Sequence, residues 1–391
     1  MEKAETLGTI IKSFARDQLE EDDLPIFYYD KTIATRTGKR NSPMDALFRY
    51  CTVPLTKNAH LLLGHSSCGK STELYRLKQR LEEAGHPVWM VNANLDMDLF
   101  QANCWDVMLN ITEGLFKIAD GYSIEIPEKT REAVLDYLKS DKEKIEEKER
   151  CASEWLSYII EIADCISNSG NKKQPVLIFE NMDKIQPPDK AFDIFCYSVL
   201  AQMPFPIIYT FPISLFYDSR FAAIMDLYEH QLLPMIKVSN IDMSENADGV
   251  NAVREIVKLR AELKLFDSDA LNLLISKTGG VLRHLFRCII ESDEGAISRG
   301  SEKIETEDAR DALSGLRSDL TRSLSQSDYP MLANIYSDRK YKEQIEDTEF
   351  LLKQMQSLVV LEYNGDRWHE LHPLIAEFLI GQGVVDGQAG Q

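Results

Sequence analysis

The apolar positions fall into two textures. Up to about residue 240, short unbroken apolar runs alternate with stretches of helical period. The runs are His60 to Leu63, residues 88–93 (VWMVNA), residues 175–179 (PVLIF) and residues 206–211 (PIIYTF). Each is short and nearly uniformly apolar, which predicts strands of a parallel sheet buried on both faces. Between them, residues 70–84 (KSTELYRLKQRLEEA) carry Leu74, Leu77 and Leu81 at helical spacing, and Gly85 and Pro87 stop that helix. Residues 98–170 read as helical throughout, and residues 189–202 fit one more helix. Residues 1–24 predict a short amphipathic helix ending in acids; residues 25–58 are mixed.

After residue 240 the strand-like runs disappear. Residues 246–263, 267–277, 281–292 and 304–317 all have helical period, with Gly279-Gly280 breaking the series. Residues 340–357 are helical again. VVLEY and DRWHELH then flank Asn364-Gly365, a hairpin signal because Asn-Gly accepts the positive φ angles of a type I′ turn. A hairpin after helices is a winged-helix pattern. The expected division is 1–240, an α/β nucleotide-binding domain with an N-terminal extension; 241–325, a helical lid; and 326–391, a winged-helix-like domain with a frayed Gly-rich tail, 381–391.

One apolar run is followed at once by a glycine loop. Gly64-His65-Ser66-Ser67-Cys68-Gly69-Lys70-Ser71 fits GxxxxGK[ST], and Thr72 extends it. Glycines let backbone N–H groups approach phosphate oxygens; the lysine supplies a charge to the β/γ-phosphates; the Ser71 hydroxyl suits Mg²⁺. The start of the following helix adds the positive end of its dipole. Strand, loop and helix come in the order a P-loop NTPase needs, so ATP with Mg²⁺ is the expected ligand. No NKxD-type motif argues for guanine. Cys68 reads as a small filler whose backbone N–H matters more than its sulfur.

P-loop hydrolysis also needs an acid for Mg²⁺ at the end of a second strand, often followed by a base for water. The strand 175–179 leads into Glu180-Asn181-Met182-Asp183-Lys184. Glu180 suits Mg²⁺. Asn181 can orient a water but cannot take its proton. Asp183 is the remaining acid, or it simply starts the next turn. Binding is therefore expected, with slow hydrolysis. Tyr28 and Tyr29 read either as flanks for a base or as packing.

Composition narrows the partners. The formal charge of -19 repels nucleic acid over the molecule as a whole. Residues 328–391 carry five Lys or Arg against eleven Asp or Glu. The cluster Arg339-Lys340-Tyr341-Lys342 is followed by Glu343, Glu346 and Asp347. Direct DNA binding thus ranks below docking to a protein or self-assembly. The charge-dense 139–150 reads as a solvated helix face. Seven cysteines without a CxxC pair support neither a metal framework nor disulfides. His369 and His372 lack further ligands nearby, and Trp368 reads as packing. No apolar leader and no run of about 18 apolar residues appear, so a cytoplasmic protein without a membrane span is expected.

Three stretches together, GHSSCGKSTEL, LIFENMDKI and GGVLRHLFRCI with the winged-helix-like end, resemble the AAA+ and STAND-like P-loop ATPases of the origin-recognition type, including bacterial ones. The resemblance spans roughly residues 45–382. It implies that Arg283, after the Gly-Gly turn, senses the γ-phosphate from the lid, with a plain lid-surface charge as the other reading. It implies that IIYTFPIS holds a water-positioning side chain, Thr210 or Ser214. Arg220 would be a finger for a neighbour's nucleotide, or would pair locally with Asp218. Glu180-Asn181, where the family has two acids, is the departure. The implied function is a regulatory ATPase or nucleotide-dependent switch acting on a partner or oligomer, in bacterial, including antiviral, defence or signalling. An initiator-type DNA-binding ATPase and a scaffold around an unhydrolysed nucleotide are the alternatives.

Overall fold

A computed structural model of the chain describes residues 1–16, 19–30, 42–53, 57–139, 152–170, 173–187, 189–338, 348–363 and 368–386. The charge-dense 140–150, the basic cluster 339–342 with the acids after it, the Asn364-Gly365 turn and the last five residues of the tail lie outside them. The chain forms two compact units: Pro43–Leu63 with Glu73–Leu232, and Met1–Ser42 with Gly64–Thr72 and Leu233–Gln391.

The first unit is built on a five-stranded sheet. Its strands are β1 (Ala59–Gly64), β2 (Val88–Asn92), β3 (Val176–Glu180), β4 (Ile207–Pro212) and β5 (Glu229–Leu232), in the order β2-β3-β4-β1-β5. β1 pairs with β5, β2 with β3 and β3 with β4, all parallel. Every residue of β1, β3 and β4 is buried, as expected of strands covered on both faces. One face packs Leu61, Leu177, Phe179, Tyr209 and Phe211 against Ile111, Leu115, Ile159 and Ile162 of the helices Cys104–Gly121 and Ala152–Asn168. Phe195 meets Tyr209 and Phe211 edge-on, with ring centroids 5.2 and 5.3 Å away.

Two expectations change here. Residues 189–202 form two short helices, Asp189–Phe195 and Ser198–Ala201, because Tyr197 between them is extended and exposed while Phe195 turns into the core. β5 has no counterpart in the sequence reading. Its residues Glu-His-Gln-Leu are half-exposed at the sheet edge, so no apolar run marks it.

The second unit holds the glycine loop, the lid and the C-terminal hairpin. The lid helices are Ala247–Arg260, Ser268–Lys277, Leu282–Arg299 and Thr306–Thr321. Asn246 caps the first by accepting from the Gly249 N–H, and Glu305 and Asp308 form a reciprocal cap at the last. The helices Tyr329–Ser337 and Thr348–Gln356 precede β6 (Val360–Tyr363) and β7 (Trp368–Leu371), an antiparallel pair followed by helix Pro373–Gly381. This is the winged-helix-like arrangement. Trp368 stacks on Tyr363 and is buried.

The N-terminal residues do not make the single helix expected of 1–24. Among the described residues up to Phe27, Ile10–Phe14 and Leu24–Phe27 are helical. Ala4 is held extended instead: its N–H donates to Arg260 O and its carbonyl accepts from Glu262 N–H, both at 2.8 Å. Gly8, at φ 76°, then turns the chain.

Candidate functional site

The residues expected to act on nucleotide fall in both units. The loop and Arg283 lie in the unit with the lid; Glu180, Asn181, Asp183 and Thr210 lie in the sheet unit.

Gly64 closes β1, and its lack of a side chain is required. A Cβ there would come within 2.7 Å of Leu233 O and 2.8 Å of Cys68 Sγ. Ser67 and Gly69 take positive φ angles of 63° and 95°, with Cys68 between them. The loop thus curls round its own interior, the backbone arrangement that turns successive N–H groups toward an anion. Helix Lys70–Glu83 starts directly on the loop. Lys70 is mostly buried, and its Nζ donates to Gly64 O at 2.8 Å and His65 O at 2.9 Å. The ammonium is held by the loop's own carbonyls, beside the curl that a phosphate would enter. Ser71 is half-buried at the helix start, and the Thr72 hydroxyl accepts from the Leu19 N–H at 3.2 Å. A buried lysine, a small-residue curl and a helix N-terminus together fit the phosphates of ATP.

Besides the Thr72–Leu19 bond, two further contacts are important for the loop. Arg283 Nη1 donates to Ser66 Oγ at 3.4 Å. Arg283 owes its place to the two glycines before it, at φ 62° and 78°. A Cβ on Gly280 would fall 2.0 Å from Ile236 O, and one on Gly279 2.8 Å from Pro373 Cδ. The helix carrying Arg283 therefore starts where only Gly-Gly lets it. The second contact was not legible in the sequence: the Glu362 N–H in β6 donates to His65 Nε2 at 2.8 Å. His65 is buried, and burial first, then the charge of Lys70, pushes its pKa down to about 3. It is a neutral acceptor at any physiological pH.

In the sheet unit, β3 ends on the fully buried Glu180. Asn181 follows at φ 66°, ψ 12°, the left-handed conformation that asparagine accepts better than most residues. Its Nδ2 donates to Asn92 Oδ1, at the end of β2, at 2.9 Å. Asn92 pairs in register with Glu180, so the two strand ends bring these amides together. Asn92 carries no motif in the sequence; its role comes from the pairing of β2 with β3. Asp183 lies on the single 3₁₀ turn Met182–Lys184, and its N–H donates to Thr210 Oγ1 at 3.3 Å. The Thr210 hydroxyl thus accepts from the turn after β3. Ser214, the other option, is buried in the turn after β4.

Arg220 pairs locally. It donates to Asp218 at 2.6 and 2.9 Å and to Asp189 at 2.7 Å, and lies over the Phe192 ring at 4.4 Å. Tyr28 and Tyr29 are half-buried. His372 caps helix Pro373–Gly381 through Nδ1, which accepts from the Leu374 N–H, and its Nε2 lies 3.1 Å from His284 Nδ1. No helix among the described residues is long and apolar enough to cross a membrane.

No protein-family model and no curated protein matches the sequence. Solved structures of similar chain arrangement exist. The Aeropyrum pernix Orc1 protein in complex with DNA is 14% identical, with 93% of this chain and 95% of that chain covered and a TM-score of 0.46. A Walker-type ATPase of Pyrococcus abyssi is 13% identical over 94% of this chain and 99% of that chain, TM-score 0.48. The Aeropyrum pernix Orc2 protein with ADPNP and ADP is 16% identical over 87% and 93%, TM-score 0.45. At these identities and scores the likeness concerns the course of the chain alone.

Proposed function

We propose that this chain is an ATP-binding regulatory switch of slow hydrolysis, controlling a protein partner or a homo-oligomer. The observation that carries the reading is that the phosphate-binding loop is tied at Ser66 to the lid arginine and at His65 to the C-terminal hairpin. A loop that only held a structural nucleotide would not need both ties. In this reading the curl Gly64 to Thr72 and Lys70 hold the phosphates, Arg283 senses the γ-phosphate, and Ser71 and Glu180 hold Mg²⁺. The ion would supply charge neutralisation on the β/γ-phosphates. Asp183 is the second acid near Glu180. Asn181 has no basic lone pair, so water activation is weak and the ATP state long-lived. A setting in antiviral defence or signalling rests on the family resemblance alone.

Sedimentation of the full chain with ATP-Mg²⁺ and with ADP tests the switch. Different sedimentation coefficients or oligomer distributions in the two states are expected. Identical profiles at saturating nucleotide overturn it.

A second reading, an initiator-type ATPase that binds DNA, stands beside the first. It is favoured by the winged-helix-like end, a shape that suits a duplex groove. The acidic balance of the sequence opposes it without excluding a local basic face. Fluorescence anisotropy with a labelled duplex at rising salt separates the two: DNA readout requires binding that weakens steeply with salt.

A further inference from the structure

We propose that His65 is a relay between the nucleotide phosphates and the C-terminal hairpin, and that phosphate binding loosens its hold on Glu362. This deepens the switch reading above and rests on it.

The geometry places both ends of the relay on one residue. On its backbone side, His65 O accepts from Lys70 Nζ at 2.9 Å. On its side-chain side, His65 Nε2 accepts from the Glu362 N–H at 2.8 Å. The ladder explains why that N–H is available. In an antiparallel pair, hydrogen-bonded and non-hydrogen-bonded positions alternate. The His372 N–H donates to Val359 O at 2.9 Å, which makes Leu361–Glu370 and Tyr363–Trp368 the next bonded pairs. Glu362 falls on the other phase, so its N–H points away from β7, and the imidazole covers that edge.

Lys70 and His65 therefore form a chain of contacts from the phosphate position to the hairpin. A β/γ-phosphate draws the Lys70 ammonium off the Gly64 and His65 carbonyls, because a charged acceptor outcompetes two neutral ones. Released from the lysine, His65 shifts, and its imidazole no longer meets Glu362. The hairpin edge then opens. Because the imidazole is uncharged, breaking the contact releases no buried ion, which keeps the step small enough to reverse.

Amide hydrogen exchange at single-residue resolution on the full chain tests this, with ATP-Mg²⁺ binding measured on the same samples by calorimetry. In the wild type, saturating ATP-Mg²⁺ is expected to speed exchange at Glu362 about fivefold, the equilibrium weight of one ordinary hydrogen bond. Leu361 and Tyr363 should stay protected by the ladder. His65→Ala should show the faster Glu362 exchange without nucleotide and should bind ATP about fivefold tighter, since binding no longer breaks the contact. ATP that binds without changing Glu362 exchange in the wild type overturns the relay and leaves the switch reading standing. Exchange rising equally at Leu361, Glu362 and Tyr363 also overturns it, because the whole hairpin then melts. Absence of ATP binding overturns both, and the calorimetry shows which failed.

Discussion

Asn181 Nδ2 donates to Asn92 Oδ1 at 2.9 Å, where the ends of β2 and β3 meet. Asn92 Oδ1 also accepts from the Asn94 N–H at 3.2 Å, which fixes it as the acceptor. The amide nitrogen of Asn181 is thus committed, and its oxygen is the atom left to orient a water. Asn181→Asp removes the donor and puts two carboxylate oxygens in its place. Asn92 must rotate its amide to pair with it and give up the Asn94 cap, at about 1 kcal/mol. In return the position gains a base. The variant is expected to release phosphate from ATP at least tenfold faster than wild type, with a midpoint in urea slightly lowered. A phosphate-release rate equal to wild type would show that Asn181 does not limit turnover.

The turn before Arg283 has no room for a side chain. Gly280→Ala places a methyl 2.0 Å from Ile236 O on a residue at φ 78°. The backbone must move, at a cost on the order of 3 kcal/mol. Urea unfolding of the full chain checks this. A loss under about 0.5 kcal/mol, the size of an ordinary surface substitution, contradicts the packing described.

Arg260 anchors the N-terminal residues. Its guanidinium is buried, donates to Ser13 O and Arg16 O at 2.8 and 2.9 Å, and lies 4.3 Å from the centre of the Phe286 ring. Arg260→Ala leaves two carbonyls without this donor and removes packing, about 2–3 kcal/mol together. The N-terminal residues should then be cleaved by trypsin at Lys12 or Arg16 well before the rest of the chain. Cleavage there at the wild-type rate would sink the anchoring role.

Acid sensitivity follows from a buried histidine in β1. His60 is fully buried, stacks parallel on Tyr50 at 5.0 Å, and neither ring nitrogen has a hydrogen-bond partner among the described residues. Burial pushes its pKa down to about 4 from 6.5. Between these values the unfolded chain binds the proton and the folded chain does not. Stability is therefore full above pH 6.5 and falls toward pH 4, on the order of 3 kcal/mol from this residue alone. His60→Phe keeps the stacking and removes the titration. Its stability at pH 7 should match or exceed wild type, and its decline between pH 6.5 and 4 should be shallower. An unchanged decline would mean that other groups, His65 among them, dominate.

What the sequence revealed and what it hid follow from where the information lies. β1, β3 and β4 were legible because full burial writes an unbroken apolar run, and the glycine loop because its backbone angles demand particular residues. β5 was hidden because an edge strand half in solvent needs no such run. The N-terminal helix failed because Ala4 finds its hydrogen bonds on Arg260 and Glu262, partners more than two hundred residues away that no local pattern signals. Among the residues expected to act on nucleotide, Lys70 and Glu180 announce themselves by spacing. The reach of His65 to Glu362 and of Asn181 to Asn92 does not, since a variable loop position and a strand-ending asparagine carry no motif. Arg220 shows the opposite case, where the mundane reading was written two residues away in Asp218.

Binding of ATP and ADP in the presence of Mg²⁺, with phosphate release followed in the same samples, tests the central claim most directly. Wild type should bind ATP tightly enough to be measured by calorimetry and release phosphate only slowly, while Lys70→Ala, folded by circular dichroism, should lose binding. Failure of the wild type to bind either nucleotide, or undiminished binding by Lys70→Ala, would contradict the assignment of Gly64 to Thr72 as the phosphate site. Rapid release by the wild type would instead contradict the slow switch and make Glu180 and Asp183 sufficient for turnover.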